Sequence, residues 1–538
     1  MINRRSFLKT AAGGAAAVAP VRSLASRQQD STGFFGLHDF IEKHPEAVFI
    51  MKTSVDAKTN GEAIKGVGME FSRSVFVPKD SGIPITHKIP LRPNLTCSVS
   101  GSYSLDHGMG IVTDPFFIEG LIEGMKELGM SGDQIYMREV NCHGDFGPRG
   151  YYDMAERTGA DIRDTSAKVG VISENDLVWI DTPEGVWFRK IPYLWPINAP
   201  DTFYINIAKF KAHGMGLTLA AKNLQGGIAH NYQAHCSGFN MDMDMVNHKN
   251  PNAITDIKEN HARHQADGVP RWDRPGSNWN SGLGMETWAT RCLDNNQYTP
   301  VGLHIIEGIY GRDGNFQNGP HMSDGGIDLN NKKGLAKDYM SNIIIFGKNA
   351  FKVDIIGHWL GGHEPGDMGY LHMAIDRGLN DVLDPFGIPV YEWKDGAAVM
   401  TPLTDFPKTE LLTYYLQRNW DGQTEPYWHL VNEPFDYGTV KVEEPALSDR
   451  PEAFVLHQNR PNPFNPDTAI EYTIPESGNV RLEIYSAGGQ LLAVLVDGFR
   501  AKGAHMATWR SQHRSTGVYF YRFTFNGHSE TKKMMLLK

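Results

Sequence analysis

The sequence has 538 residues, and its 62 acidic residues outnumber its 52 lysines and arginines, which gives a formal net charge of -10. A general nucleic-acid-binding protein is normally basic, so this charge argues against nucleic acid as a partner. Hydrophobic residues make up 41% of the chain, and its length allows two or three domains with a large core.

The amino-terminal residues predict an export signal. The segment NRRSFLK (3–9) resembles the twin-arginine motif, and a short apolar run over residues 11–19 follows it. Ser23, Leu24 and Ala25 form the small-x-small pattern of a cleavage site. We therefore predict a signal peptide over residues 1–25; the alternative is an unprocessed terminus. The apolar run is too short to span a bilayer, and no later stretch qualifies as a transmembrane segment.

The four cysteines are widely scattered and form no C-x-x-C pair. This spacing argues against a ferredoxin-type iron–sulfur cluster or a zinc ribbon. An exported protein can form disulfides, but the pairing cannot be read from the sequence, and buried thiols are the alternative. The cysteines are Cys97, Cys142, Cys236 and Cys292.

Residues 26–437 predict an α/β domain with a mixed, mostly parallel sheet flanked by helices. Strand-like runs cover residues 47–51, 87–94 and 134–140. Between the last two, Asp114 and Pro115 are typical of a helix start, and apolar residues then recur at helical spacing. A strand, a helix and a strand in this order indicate a βαβ unit.

The next stretch carries the largest group of candidate functional residues. A strand-like run over 203–207 is followed by Lys209, Lys211 and His213 at alternate positions. After a glycine turn, residues 217–224 predict a helix that carries Lys222 and Asn223. Three ionisable groups that leave a buried strand, with a fourth nearby, predict a pocket for an anion.

The second half of this domain is less regular. Residues 238–284 are polar and predict long loops around a short helix near 257–265. Strands are expected over 300–307, which ends in Glu307, and over 342–347. A helix follows the second strand, and Asp354 and His358, four residues apart, share one face of it.

Composition changes near residue 437. Residues 438–454 read as a linker, because prolines and charged residues are frequent there. Residues 455–538 predict a small all-β sandwich, since short alternating runs are separated by turns. The predicted strands are 469–474, 480–485, 491–496, 505–509, 517–525 and 531–537.

Polar side chains stand at the ends of several predicted strands. Ligands of open parallel sheets bind beyond the carboxyl ends of the strands, so these side chains predict one crevice with cations, a carboxylate and an imidazole. The alternative is that the lysines are solvated and Glu307 pairs with one of them structurally. The residues are Asn94; Glu139, Asn141 and His143; Lys209, Lys211 and His213; and Glu307.

Histidines are frequent from residue 213 to residue 265, and a divalent metal is a further hypothesis. His261 and His264 lie one helical turn apart and could face one ion, and His363 is another candidate ligand. The alternative is that these histidines belong to a polar surface. The other histidines of this stretch are His213, His230, His235 and His248.

No nucleophile elbow, phosphate-binding P-loop or G-x-G-x-x-G fingerprint occurs between a predicted strand and a helix. The sequence therefore disfavours a serine hydrolase, a P-loop kinase and a nicotinamide dehydrogenase.

The central segments resemble the family called domain of unknown function 362. The resemblance covers roughly residues 85–390, and K-x-K-x-H and K-N-L-x-G are its most specific pieces. Ala212 stands where threonine is usual and Glu307 where aspartate is usual, and residues 228–285 look like an insertion. Some members carry ferredoxin-like clusters, but the reaction of the family is not established. The matching segments are LRPN (91–94), VTDP (112–115), INIAKFKAH (205–213), AKNLQG (221–226), EGIYGRDG (307–314) and residues 342–362.

The tail is similar to a type IX secretion C-terminal sorting domain. The matching segments are LHQNRPNPFNP (456–466), GVYFYR (517–522) and KKMMLLK (532–538). The same region resembles the immunoglobulin-like domain of the flagellar hook-capping protein. The resemblance implies contact with export machinery at both ends of the chain, and a destination at the cell surface or outside the cell after the periplasm. A plain accessory sandwich is the alternative.

Two functions follow from these patterns. The first is an exported enzyme in which Lys209, Lys211 and Lys222 hold an anionic small molecule. Asn94 and Asn223 would orient it, and His213 or Glu307 would transfer a proton. The second is a surface protein that binds an anionic ligand or a metal without turnover.

Overall fold

A computed structural model describes residues 33–95, 109–139, 146–147, 149–164, 173–229, 249–277, 281–315, 318–328, 334–413, 434–439, 455–475, 478–500, 503–511, 514–525 and 528–537. The chain divides into two compact units, Met1–Tyr437 and Gly438–Lys538. Each unit has its own sheets and hydrophobic core.

The first unit is mixed α/β. Its strands are β1 (Phe34–Leu37), β2 (Val48–Lys52), β3 (Phe76–Lys79), β4 (Ile83–Pro84), β5 (Ile89–Pro93), β6 (Ile135–Glu139), β7 (Asp161–Asp164), β8 (Leu177–Asp181), β9 (Lys190–Leu194), β10 (Ile205–His213), β11 (Gly216–Thr218), β12 (Leu303–Arg312), β13 (Asn318–Gly319), β14 (Gly334–Leu335), β15 (Asp338–Tyr339), β16 (Ile343–Gly347), β17 (Val390–Lys394) and β18 (Ala397–Met400). Its α-helices are α1 (Asp39–Lys43), α2 (Gly61–Val75), α3 (Pro115–Lys126), α4 (Tyr151–Thr158), α5 (Ala220–Asn223), α6 (Ala253–Ala266), α7 (Gly282–Tyr298), α8 (Ala350–Leu360) and α9 (Gly369–Asp376).

A large mixed sheet forms the centre of this unit. Within the described residues it runs in the order β18-β17-β2-β16-β12-β10-β5-β6-β7, with β11 beside β10 and β15 beside β12. The neighbours from β12 to β7 are parallel, whereas β16 is antiparallel to both β12 and β2. The prediction of a large mixed sheet flanked by helices is confirmed. Its parallel block places the carboxyl ends of β5, β6, β10 and β12 at one edge.

Helices cover the two faces of this block. On one face α2 and α3 pack on each other and on isoleucines of β10 and β12. The two helices approach so closely that a Cβ at Gly120 would lie 2.0 Å from the Lys65 carbonyl oxygen, so glycine is required there. On the other face α8 lies against Ile306 of β12 through Gly357. The sheet is therefore buried on both sides, as parallel strands require.

Helix α3 begins as its sequence predicts. The Asp114 side chain accepts a hydrogen bond of 2.8 Å from the Phe116 amide, and Pro115 occupies the first turn. Asp114 supplies an acceptor for an amide that has no partner within the helix, and proline has no amide to satisfy.

Two parts of the first unit differ from the prediction. Residues 216–218 pair with β10 as β11, so the predicted helix over 217–224 is reduced to α5 and a 3-10 turn over Leu224–Gly227. Helix α7 was missed because it is buried on most sides and has no apolar stripe. Its polar residues have partners: Asp294, for example, accepts hydrogen bonds from the amides of Val186, Trp187 and Phe188.

The second unit consists of antiparallel strands. They are β19 (Val455–Leu456), β20 (Asp467–Ile474), β21 (Gly478–Ser486), β22 (Leu491–Arg500), β23 (Gly503–Arg510), β24 (Gly517–Phe525) and β25 (His528–Leu536). They form the sheets β19-β20-β23 and β22-β21-β24-β25, and apolar side chains of both sheets share one core. The predicted strands are present. The immunoglobulin-like type stays a prediction.

Candidate functional site

Lys209, Lys211 and His213 lie inside β10, which continues through them instead of ending before them. They are 0%, 1% and 6% exposed, so none of them is a solvated surface residue. Strand β10 lies between β12 and β5, the two parallel neighbours that carry Glu307 and precede Asn94. The strand register therefore brings several of the predicted residues to one region.

Lys209 and Glu307 form a buried ion pair. The two residues are neighbours in the register of β10 and β12, and Lys209 Nζ lies 2.7 Å from Glu307 Oε2. Both side chains are fully buried, and Lys209 Nζ is also 3.4 Å from the centre of the Tyr310 ring. A buried ion pair needs such additional contacts, because both charges have lost their water.

Asp114 and Tyr310 complete this group. The Asp114 amide donates to Glu307 Oε2 over 3.2 Å, and the Tyr310 hydroxyl donates to Asp114 Oδ2 over 2.5 Å. The Ile309 amide donates to Glu307 Oε1 over 3.1 Å. We call Lys209, Glu307, Asp114 and Tyr310 the carboxylate cluster. The sequence pattern predicts Asp114 only as a helix cap and does not single out Tyr310, although the two residues lie in the family-like segments 112–115 and 307–314.

Burial raises the pKa of Glu307, and the charge of Asp114 raises it further, against the opposing attraction of Lys209. Burial also raises the pKa of Asp114, against its hydrogen bond from Tyr310 and the charge of Lys209. Both carboxyls thus hold a proton more strongly than they would in water. A group that transfers protons near neutral pH needs a shift in this direction.

His213 lies in a positively charged environment. Burial is the largest cause that holds its pKa well below the usual value, and the charges of Lys222 and Lys211 add to it. We call Lys211, His213 and Lys222 the cationic cluster. The Met215 amide donates to His213 Nδ1 over 3.1 Å, so Nδ1 is the acceptor and the neutral ring carries its proton on Nε2. His213 is therefore a neutral hydrogen-bond donor.

Asn94 and Asn223, the two predicted orienting residues, contact each other. Asn94 Nδ2 donates to Asn223 Oδ1 over 2.9 Å, and Asn223 Nδ2 donates to the Arg92 carbonyl and to Asn206 Oδ1 over 2.9 and 2.8 Å. Asn206 Nδ2 in turn donates to the Ala220 carbonyl over 2.8 Å. We call Asn94, Asn223 and Asn206 the asparagine chain. Asn206 was missed because it lies in the middle of an apolar strand.

Thr113 connects the asparagine chain to the carboxylate cluster. Its hydroxyl donates to the Ile207 carbonyl over 2.9 Å and accepts from the Asn94 amide over 2.8 Å. Thr113 directly precedes Asp114, whose amide contacts Glu307. Hydrogen bonds therefore connect Asn94 and Thr113, which lie between β5 and α3, to the middle of β10.

Asp354 fixes the start of α5, which carries Lys222 and Asn223. Its Oδ1 accepts from the Ala220 amide over 2.6 Å, and burial raises its pKa to about 7. The Tyr370 hydroxyl lies 3.0 Å from Asp354 Oδ2 and 3.1 Å from His358 Nε2. Asp354 and His358 thus lie on one face of α8, as their spacing predicted.

The candidate metal ligands have protein partners. His261 Nε2 lies 3.0 Å from the Trp272 carbonyl, and His363 Nε2 lies 2.6 Å from the Leu411 carbonyl. His264 Nδ1 is 2.7 Å from Glu286, and against the cost of its burial the hydrogen bonds to Asp376 and Glu286 raise its pKa to about 9. Within the described ranges, no three His, Cys, Asp or Glu side chains are close enough to share a metal ion.

A separate cavity of about 170 Å³ lies near the other end of β12. Its lining includes His304, Lys348 and Asn349, and none of the predicted site residues. Burial lowers the pKa of His304 to about 3, so this ring is neutral at neutral pH. No sequence pattern predicts this cavity.

The remaining sequence candidates are distributed as follows. Glu139 forms an ion pair with Arg92, and both are buried. Cys292 is buried and its thiol lies 3.3 Å from the Ala221 carbonyl. Asn141, His143, His230, His235, His248, Cys97, Cys142 and Cys236 lie outside the described residues.

Comparison with known families gives two matches. The model described as "Domain of unknown function (DUF362)" matches residues 89–358, which is half of the chain and includes both named clusters and the asparagine chain. The model of the TAT (twin-arginine translocation) pathway signal sequence matches residues 1–20. No curated protein and no solved structure gives a significant match. In the part of the chain that the structure describes, no helix is long and apolar enough to cross a membrane.

Proposed function

The chain belongs to the family of domain of unknown function 362 and carries a twin-arginine export signal, and from this premise we propose that it is an exported enzyme acting on an anionic small molecule. The site of this activity is the region around the carboxyl-terminal half of β10. One observation carries the proposal. In β10 the buried Lys211 and His213 lie within four residues of Lys209, whose partner is one of two buried carboxyls with raised pKa values. The half-buried Lys222 adds its charge near the His213 ring.

The charge of each residue determines its role in the proposal. Lys211 and Lys222 attract the anion, and His213 donates a hydrogen bond to it through Nε2 without adding a charge. Asn94 and Asn223 orient the ligand through the asparagine chain. Lys209 was predicted to hold the anion, but its pairing with Glu307 gives it a different role in this proposal, which is to hold that carboxylate in place.

Glu307 is the proton-transferring group of the proposal, with Asp114 beside it. A raised pKa allows a carboxyl to give up and take back a proton near neutral pH. His213 is not the base at Nε2, since that nitrogen already carries a proton. The reaction is thus one in which a proton moves on or off an anion that the lysines hold.

The alternative is a protein that binds the anion without turnover. One observation favours it: Glu307 is fully buried, and hydrogen bonds from Lys209, Asp114 and Ile309 occupy both of its oxygens. A carboxylate with this set of donors resembles a structural ion pair.

Two measurements test the proposal. Native mass spectrometry with metal analysis, on protein purified from its own host, identifies any ligand, cofactor or metal that co-purifies. With that ligand, Lys211→Ala and His213→Ala are then compared with Lys43→Met, which removes an exposed lysine of the same unit. Turnover of the ligand by the parent protein, together with weaker binding in Lys211→Ala and His213→Ala, supports the enzyme. Binding that the same changes weaken, without any turnover in the parent protein, supports the alternative. If neither substitution affects binding or activity, the assignment of Lys211 and His213 to the site is wrong.

We further propose that the second unit directs the exported protein across the outer membrane. The support is the type IX-like sequence at both ends of this unit and its self-contained core. Removal of residues 455–538 should leave the protein in the periplasm, whereas the full chain reaches the surface or the medium. Fractionation of the native host measures this directly, and secretion of the truncated chain would contradict it.

A further inference from the structure

The asparagine chain has a fixed hydrogen-bond polarity. A backbone carbonyl can only accept, so the bond from Asn223 to the Arg92 carbonyl identifies the Asn223 Nδ2 group. Asn223 Oδ1 is then the acceptor for Asn94, and the contacting group of Asn94 must be its Nδ2. The remaining polar atom of the Asn94 side chain is therefore an acceptor, Oδ1.

Asn94 Oδ1 has no hydrogen-bond partner among the residues that the structure describes, although the residue is only 6% exposed. Buried polar atoms in native proteins nearly always have a partner, and leaving one without costs free energy. An acceptor in this position requires a donor from outside the described chain.

Thr218 presents a second atom of this kind. It is 1% exposed, and its Oγ1 likewise lacks a hydrogen-bond partner within the described ranges. Thr218 is the register partner of Lys211 in the antiparallel pair of β10 and β11, so the two side chains lie on the same face. Two residues later the chain enters α5, which ends at Asn223, the hydrogen-bond partner of Asn94.

We propose that the anion bound at this site also carries a hydroxyl group, which donates a hydrogen bond to Asn94 Oδ1, and that the Thr218 hydroxyl contacts the same ligand. This inference rests on the proposed function, because it assumes that the cationic cluster holds an anion. It adds the chemical class: a hydroxylated carboxylate or phosphate.

The charges around the site favour a hydroxyl over an ammonium group as the donor. Lys211 and Lys222 already place two positive charges near His213. A third cation would be repelled, whereas a hydroxyl is neutral and satisfies the acceptor equally well. A site built around a hydroxyl also rejects the analogue without it, because Asn94 Oδ1 would then stay unpaired.

Matched ligands test the proposal on the full chain. Calorimetry and saturation-transfer NMR compare glycolate with acetate, and glycerol 3-phosphate with propyl phosphate. The hydroxylated member of at least one pair should bind about tenfold more tightly or better, which corresponds to one lost buried hydrogen bond. Asn94→Leu should abolish that preference. Thr218→Val keeps the shape of the side chain and should weaken binding of the hydroxylated member. This variant replaces Asn94→Leu as the test if Asn94→Leu does not fold.

The outcomes separate this inference from the function on which it rests. If both members of each pair bind equally well, the proposed hydroxyl contact is refuted. The anion site is still supported in that case, provided that Lys211→Met weakens binding and Lys43→Met does not. Binding that is insensitive to Lys211→Met, or no binding of any of the four probes, overturns both. A preference that survives Asn94→Leu and Thr218→Val overturns the assignment to these residues.

Discussion

Lys209 and Lys211 are two residues apart in one strand, yet their surroundings differ. Lys209 has a counter-charge in Glu307 at 2.7 Å and an aromatic ring beneath it. Lys211 lies with Lys222 near His213, and both lysines lower the pKa of that histidine. Burial alone therefore does not identify a functional lysine. Lys209 pairs with a carboxylate of the neighbouring strand, whereas Lys211 lies opposite Thr218, whose buried hydroxyl has no hydrogen-bond partner in the described residues.

The largest expected effect is in the carboxylate cluster. Glu307→Gln leaves the buried Lys209 without a counter-charge and should lower the free energy of unfolding by about 3–5 kcal/mol, measured by urea denaturation. Lys52→Met is the matched control, because the Lys52–Glu392 pair is 39% and 23% exposed and should contribute only about 0–1 kcal/mol. A similar small loss in both variants would mean that the buried pair is not structural.

Two threonines provide the next comparison. Thr113→Val removes a hydroxyl that has two partners and should cost about 1–3 kcal/mol. Thr218→Val removes a buried hydroxyl without a partner in the described chain, so it should leave the ligand-free stability unchanged or raise it by about 1 kcal/mol. Thermal and urea unfolding check both. Equal losses would show that Thr218 has a partner within the protein.

A smaller effect concerns pH. The pKa values of Glu307 and Asp114 are raised on folding, so the stability they contribute is complete below their unfolded pKa values and is lost as the pH rises through the folded ones. Asp114→Asn keeps the helix cap, lowers the pKa of Glu307 and should reduce this decline by on the order of 1 kcal/mol. Urea unfolding at several pH values measures it. The exposed Asp395→Asn is the control, and an unchanged pH profile in Asp114→Asn would refute the coupling.

The smallest effect is in the cationic cluster. Lys222→Met should raise the pKa of His213, and Lys211→Met should raise it less, since Lys222 has the larger influence. Burial is the main cause of the shift and should keep the pKa below its usual value in both variants. Nitrogen-15 NMR of the imidazole follows the titration, with Lys43→Met as the control. No change in either variant would remove His213 from the cationic cluster.

The sequence determined the local elements and the family. The cap at Asp114, the alternating strands of the second unit and the K-x-K-x-H strand depend on residues close together in the chain, so their patterns predict them. The export signal and the central family were readable for the same reason, because each is a contiguous motif. Helix α7 could not be predicted in this way, because buried polar residues such as Asp294 find partners in other segments and leave no apolar periodicity along the helix.

Only the tertiary structure decided which polar residues meet. Glu307 contacts Asp114 across 193 positions of sequence, and Asn94 contacts Asn223 across 129. The sequence predicts the same ligand-binding role for Lys209 and Lys211. Which lysine has a counter-charge depends on the neighbouring strand, and the sequence does not show which strand that is. The strand order β12-β10-β5 therefore determines that Lys209 is neutralised within the fold, while Lys211 lies in the cationic cluster.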